Sequence, residues 1–240
     1  GDNLRFYAGA AERMRIDSSG RVGIGGVPNT NWRNDVADQE VLMLGTEATF
    51  YSDSGVTTEL FNNAYINNSD TIVNISTRGA SRYFQYQGAH KWYTAASASA
   101  GSNVNAELAT TPKMTLDVSG NLLVGKTSSA FGTQGIELQS DGELIATKNG
   151  TPIYVNRITT DGAMQNFYKD GALVGSISTH FGSPMFGKAG GARLAFATSS
   201  MYPSNDAGTT ENGTLDIGTS SGRFKDLYLS GGVYLGGTGS

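Results

Sequence analysis

Arg13-Met14-Arg15-Ile16-Asp17-Ser18-Ser19-Gly20-Arg21-Val22-Gly23-Ile24-Gly25 returns one hundred residues later, without a gap, as Lys113-Met114-Thr115-Leu116-Asp117-Val118-Ser119-Gly120-Asn121-Leu122-Leu123-Val124-Gly125. Met, Asp, Ser and two Gly are identical, and the apolar positions are retained. Met14 and Ile16 alternate with charged neighbours, Ser-Gly supplies a turn, and Val22 and Ile24 alternate with small residues. Period-two patterning on both sides of a turn signal predicts a β-hairpin. A fixed-period repeat is the signature of an array in which each unit buries its apolar stripe against its neighbours.

A looser copy closes the chain: Leu215-Asp216-Ile217, then Gly222-Arg223-Phe224-Lys225-Asp226-Leu227-Tyr228-Leu229-Ser230-Gly231-Gly232-Val233-Tyr234-Leu235-Gly236, with Leu227, Leu229, Val233 and Leu235 as its apolar face. One such hairpin is marginal in water, because so few apolar side chains cannot offset the ordering of two strands. Three chains side by side would bury the stripe on a common axis and cover the unpaired edges, which predicts a homotrimer. Turn signals continue at Asp141-Gly142, Asn149-Gly150, Asp161-Gly162 and Asp170-Gly171, the spacing of a strand meander. Phe167 to Val174 is the clearest hairpin among them.

The 29–112 interval differs. Asn31 to Glu40 is the one stretch where a short helical turn is plausible, and strand-like pieces follow up to Tyr83-Phe84-Gln85-Tyr86-Gln87-Gly88-Ala89-His90-Lys91-Trp92-Tyr93. The predicted organisation is a shaft hairpin (1–28), a β-rich bulge module (29–112), a second shaft hairpin (113–130), a hairpin meander (131–187) and a distal shaft repeat (188–240). The predicted fold class is all-β: an elongated homotrimeric fibre of short hairpin layers, β-prism or β-helix in style. Collagen and coiled coil are excluded, since Gly does not occupy every third position and no heptad is sustained.

Composition agrees. Gly supplies 33 of 240 residues and hydrophobic residues only 38%, so turns are many and a compact core is small. Short runs rich in Val, Ile, Tyr, Phe and Thr separate the chain from disordered sequence. With no Cys, disulfides and thiolate metal sites are excluded, and assembly is the expected source of stability. The net charge of -4, with Lys and Arg scattered singly, leaves no electrostatic footprint for nucleic acid. No apolar run approaches the roughly 18 residues that span a bilayer, so no membrane insertion is expected. Gly1-Asp2-Asn3 and the closing Gly-Gly-Thr-Gly-Ser have the look of cuts through a longer protein.

Glu12 to Gly25 resembles the "ERMRIDSSGNVGIG" repeat of tail fibres from tailed phages, especially those of marine bacteria. Gly222 to Gly237, with its Arg-Phe-Lys-Asp-Leu-Tyr-Leu-Ser-Gly core, resembles a segment found late in the same fibres. Tyr168 to Ser178 resembles a third element. The resemblance implies a homotrimeric, extracellular virion fibre that joins other tail proteins and ends in a receptor-binding tip. Many relatives also carry a C-terminal intramolecular chaperone that cleaves itself off.

Gly120-Asn121-Leu122-Leu123-Val124-Gly125-Lys126-Thr127 satisfies the nucleotide-binding pattern G-x-x-x-x-G-K-[ST]. That mechanism needs a loop curled round a phosphate and a helix directly after it. Leu122 to Val124 reads as strand, no helix begins after Thr127, and the first repeat has Gly26 in place of Lys126. The match is read as a false positive, and no cofactor is expected. The two His, His90 and His180, have no ligand partners at metal spacing. Acid pairs for glycoside cleavage, such as Asp53 with Glu59 or Asp35 with Asp38, read first as hydrophilic loop residues. Asn67-Asn68-Ser69, Asn74-Ile75-Ser76 and Asn212-Gly213-Thr214 match the glycosylation sequon by composition alone.

The candidate ligand residues are Tyr86, His90, Trp92 and Tyr93, aromatic groups able to stack on the sugars of a host surface polysaccharide. Packing of the bulge is the competing role for them. The expected function is non-enzymatic: a fibre segment in host attachment. A glycan-cleaving tail spike and a cellular surface adhesin with phage-like repeats are the alternatives.

Overall fold

The computed structural model describes residues 3–33, 40–53 and 57–233. The chain is all-β and divides into two compact units, Gly1–Ile153 and Tyr154–Ser240. Positions 34–39 of the expected helical turn lie outside the described residues.

The first unit holds β1 (Leu4–Ala8), β2 (Ala11–Ile16), β3 (Val22–Ile24), β4 (Glu40–Leu44), β5 (Ala48–Asp53), β6 (Thr57–Asn62), β7 (Ala64–Ile66), β8 (Ile72–Asn74), β9 (Arg78–Tyr86), β10 (Ala89–Ala98), β11 (Met114–Leu116), β12 (Leu122–Val124), β13 (Gly135–Leu138) and β14 (Leu144–Thr147). Twelve of these strands form one open sheet in the order β1-β2-β3-β4-β5-β6-β9-β10-β11-β12-β13-β14, while β7 and β8 pair apart from it. All neighbours are antiparallel except β3 and β4. The strands of 29–112 thus continue the sheet that the two repeat hairpins belong to.

Both repeats fold as hairpins with the same register: Met14 opposite Ile24 and Ile16 opposite Val22, then Met114 opposite Val124 and Leu116 opposite Leu122. Their turn is built by the aspartate. Asp17 Oδ1 accepts the N–H of Ser19 at 2.9 Å and of Arg21 at 3.1 Å, and Asp117 Oδ1 accepts those of Ser119 and Asn121, both at 2.9 Å. The fourth loop residue is left-handed, which Gly20 (φ +81) and Gly120 (φ +85) adopt without a Cβ penalty.

Two further copies of this loop were hidden in the sequence. Asn67 Oδ1 takes the N–H of Ser69 and Thr71 at 3.0 Å, with Asp70 left-handed where glycine would stand (φ +55). Asn205 Oδ1 takes those of Ala207 and Thr209 at 3.0 Å. Asp17, Asn67 and Asp117 therefore mark hairpins fifty residues apart, and the middle one is β7–β8.

That middle hairpin builds the core. Val41, Met43, Tyr51, Phe61, Ala80 and Tyr93 project from one face of the sheet and pack with Trp32, Tyr65, Ile72, Val73, Val104 and Leu108. Full burial of a side chain the size of Phe61 contributes about 2–3 kcal/mol. Buried amides hold the cover in place: Asn63 Nδ2 donates to the carbonyls of Ser76, Arg78 and Gly79, and Asn74 Nδ2 to those of Arg78 and Ala98. Asn105 Oδ1 accepts the Ile72 N–H at 2.7 Å, tying the segment before the helical turn Ala106–Thr110 to β8.

The second unit is a five-stranded meander of β15 (Gly162–Lys169), β16 (Ala172–His180), β17 (Ser183–Lys188), β18 (Arg193–Phe196) and β19 (Met201–Ser204). Asp170-Gly171 is the expected two-residue turn, with φ of +50 and +78 and Lys169 opposite Ala172. Phe181-Gly182 makes a second such turn that carries no sequence signal at its first position. Two expected turns fall elsewhere. Asn149-Gly150 lies in a strand-free stretch, and Asp161 caps the Phe181 turn by accepting the Phe181 N–H at 2.6 Å.

The distal repeat is a correction. Among the described residues, 211–233 contain no strand, and Leu227, Leu229 and Val233 are exposed; Tyr234 and Leu235 lie outside the described residues. A lone hairpin with so small an apolar face is marginal in water, so pattern alone does not form it.

Candidate assembly surface

Among the described residues of the first unit, the sheet's other face is left uncovered. One lateral row runs in register through all twelve strands: Leu4, Ile16, Val22, Leu42, Phe50, Leu60, Tyr83, Trp92, Met114, Val124, Ile136 and Ala146. Every member is apolar or aromatic, and none is among the fully buried side chains. Rows two residues to either side add Phe6, Met14, Ile24 and Leu44, and Leu116, Leu122, Leu138 and Leu144.

Charge is partitioned between the faces. The open rows carry Glu40 at one end and otherwise no Asp, Glu, Lys or Arg among the described residues. The covered face carries Arg5, Arg15, Glu59, Arg82, Lys91 and Glu137 at the alternate positions. Those charges are paired where they are buried. Arg82 Nε donates to Glu59 Oε2 at 2.7 Å, its Nη1 to the Leu108 carbonyl at 2.9 Å, and the guanidinium lies 4.1 Å from the centre of the Phe84 ring. A monomer whose open side were wet would place charge there.

The second unit repeats the plan. Ser176, Arg193 and Ser204 share a covered row in which Arg193 donates to Ser176 Oγ at 2.9 Å and pairs with Asp206 from the Asn205 loop. On the opposite face Ile177, Phe186, Leu194 and Pro203 are in register, and the first three are exposed.

The four aromatic candidates do not share a face. The 83–93 run is two strands joined at Gln87-Gly88. His90 and Trp92 stand on the open face, where His90 Nδ1 meets the Tyr83 hydroxyl at 2.5 Å and the Trp92 and Tyr83 rings lie 5.2 Å apart. Tyr93 points the other way, into the core, and is 3% exposed. Burial pushes its phenol pKa above the usual value. Tyr86 sits at the hairpin end beside Phe84, at a ring separation of 5.9 Å. The sheet's period of two splits what a linear reading of near-alternate aromatics had joined.

The nucleotide-like motif is structural. Lys126 follows β12 directly, its side chain has no exposed surface, and its ammonium donates to Glu137 Oε2 at 2.7 Å and to the Ala130 carbonyl at 2.8 Å. Ser129 closes the other carboxylate oxygen. The pairing with Lys126, then Ser129, holds the Glu137 carboxyl below its ordinary range.

Asp35 and Asp38 lie outside the described residues, as does the side chain of Asp53. Glu59, the remaining member of those pairs, is locked to Arg82. A cavity of about 440 Å³ on the covered side is lined by Arg33, Tyr51, Glu59, Asp70, Arg82 and Asn105, and its Asp70 is paired with Arg33 at 2.5 Å. Glu12, Asp161 and Asp206 are likewise held below ordinary carboxylate values, by the Arg15 guanidinium, the Thr179 hydroxyl and the Gly190 N–H respectively. A glycosidic general acid requires the opposite shift.

Comparison with family models, curated proteins and solved structures returned no match.

Proposed function

We propose that this chain is a structural, non-enzymatic segment of a homotrimeric tail fibre of the tailed-phage type, extracellular on the virion, that supports recognition of and attachment to the host surface. The observation that carries the reading is the in-register apolar row from Leu4 to Ala146, on a face from which charge is nearly absent. Such a face is stable in water only when covered. Three chains turning these faces towards a common axis would form a prism-like shaft, with the paired charges of the other face directed outwards. The tail-fibre assignment itself rests on the resemblance of Glu12 to Gly25, of Gly222 to Gly237 and of Tyr168 to Ser178. In this reading the partners are two further copies, other virion tail proteins and host cell-surface polysaccharide. Neither nucleic acid nor a membrane is among them. Immunogold labelling of virions with antibody raised against the chain tests the assignment: label along the tail fibres is expected, and virions free of label would overturn it.

A further inference from the structure

We infer that the core of the first unit is a binding site for one structural water, which accepts the Trp32 indole N–H, bonds the Thr49 hydroxyl and so links the cover to the sheet. Among the described residues, four buried side-chain atoms have no hydrogen-bond partner in the protein: Trp32 Nε1, Thr49 Oγ1, Asn74 Oδ1 and Thr115 Oγ1. The first two belong to residues that line one small internal cavity. Trp32 and Thr49 are each 2% exposed, so bulk solvent does not reach them. Burying a donor and a hydroxyl without replacing their bonds to water is costly, and native cores supply a partner for such groups.

The cavity selects its ligand by size and by polarity. Its volume is about 10 Å³, the room that a single water needs and too little for an organic molecule. The indole nitrogen can only donate, so the ligand must turn a lone pair towards it, whereas the hydroxyl both donates and accepts. Arg33 on the wall is ion-paired with Asp70, and the remaining lining is mostly the rings and aliphatic carbon of Val41, Tyr51, Phe61 and Tyr65. A small neutral molecule with both donors and lone pairs fits that wall. The site also explains a residue choice. Thr49 stands on β5 between Met43 and Phe61, on the face that packs into the core. Valine is branched in the same way and suits a strand equally, so packing alone asks for no hydroxyl there. Trp32 belongs to the cover: its backbone bridges to Asn67, next after β7, and its ring lies 6.0 Å from that of Tyr65. The water is thus a polar link between two layers whose contact is otherwise apolar.

Crystal structures of the full chain as wild type and as Thr49→Val, at a resolution that shows ordered water, test the site. The expected result is a density peak in the wild type within about 2.7–3.2 Å of both Trp32 Nε1 and Thr49 Oγ1, and its loss in Thr49→Val. A dry cavity in the wild type, a peak bonded to only one of the two atoms, or a peak unchanged in Thr49→Val would overturn it. Should Thr49→Val not fold, the wild type still decides, both by its density and by magnetic resonance. The chain has two tryptophans, Trp32 and Trp92, so Trp92→Phe identifies the Trp32 indole N–H signal. That signal should receive magnetisation directly from a bound water, and its failure to do so would overturn the site.

Discussion

The Lys126 ammonium and the Glu137 carboxylate meet at 2.7 Å with neither side chain exposed, and the second oxygen of that carboxylate is taken by Ser129. Removing one member leaves the other charge buried without a partner, which costs about 3–5 kcal/mol. Lys126→Met and Glu137→Leu should each destabilise the first unit by that amount, and the double variant should recover most of it. Trp32 and Trp92, the two tryptophans, both lie in this unit, so denaturation followed by their fluorescence measures the effect. Near-additive losses would contradict the pairing.

Asp117 acts through one acceptor oxygen on two backbone N–H groups. Asn67 and Asn205 do the same with an amide oxygen, so Asp117→Asn should keep both backbone bonds and lose only the one that Asp117 Oδ2 accepts from Asn121 Nδ2 at 3.0 Å, costing less than Asp117→Ala. Asp117→Ala loses the acceptor and should cost about 1 kcal/mol in chemical denaturation.

Phe181 occupies the first position of a two-residue turn at φ +48 and is 88% exposed. A bulky residue in that region is strained, and Asn tolerates it better. Phe181→Asn should stabilise the second unit by roughly 1 kcal/mol, read as about fivefold slower amide exchange in β16 and β17.

Glu137, Asp161 and Asp206 all have pKa values lowered from ordinary ones of 4.5, 3.8 and 3.8. A carboxyl depressed on folding stabilises the native state above its unfolded pKa, and that contribution is lost as pH falls through the folded value. Stability from these groups should therefore be flat from neutral pH down to the ordinary carboxylate range and fall below it. Asp206→Asn should make the acid limb of a pH titration of stability shallower, and an unchanged limb would contradict the role of its Gly190 and Arg193 partners.

The hairpins at Met14 and Met114 were legible because repetition, alternation and an Asp-Ser-Gly turn all agree there. The middle loop of the fifty-residue series was not legible because Asp70 replaces the glycine and Asn67 the aspartate, while the backbone bonds stay the same. The distal repeat fails for the opposite reason: Leu227 and Leu229 alternate well, yet alternation gives a strand only when something covers it. The aromatic candidates misled because alternation along β10 sends Tyr93 into the core and Trp92, its neighbour, to the open face. The row from Leu4 to Ala146 was beyond sequence reasoning, since it depends on the register of eleven successive strand pairs.

The central claim is that the open face is covered by copies of the same chain, and the mass of the purified protein by light scattering after size exclusion tests it most directly. The wild type should run at three times its 25.2 kDa chain mass, and a Phe50→Glu/Leu60→Glu variant, which buries two charges in the row, should fall to the mass of one folded chain. A wild type that is a compact, soluble monomer of 25.2 kDa would contradict the account, because the row would then be stable in water uncovered.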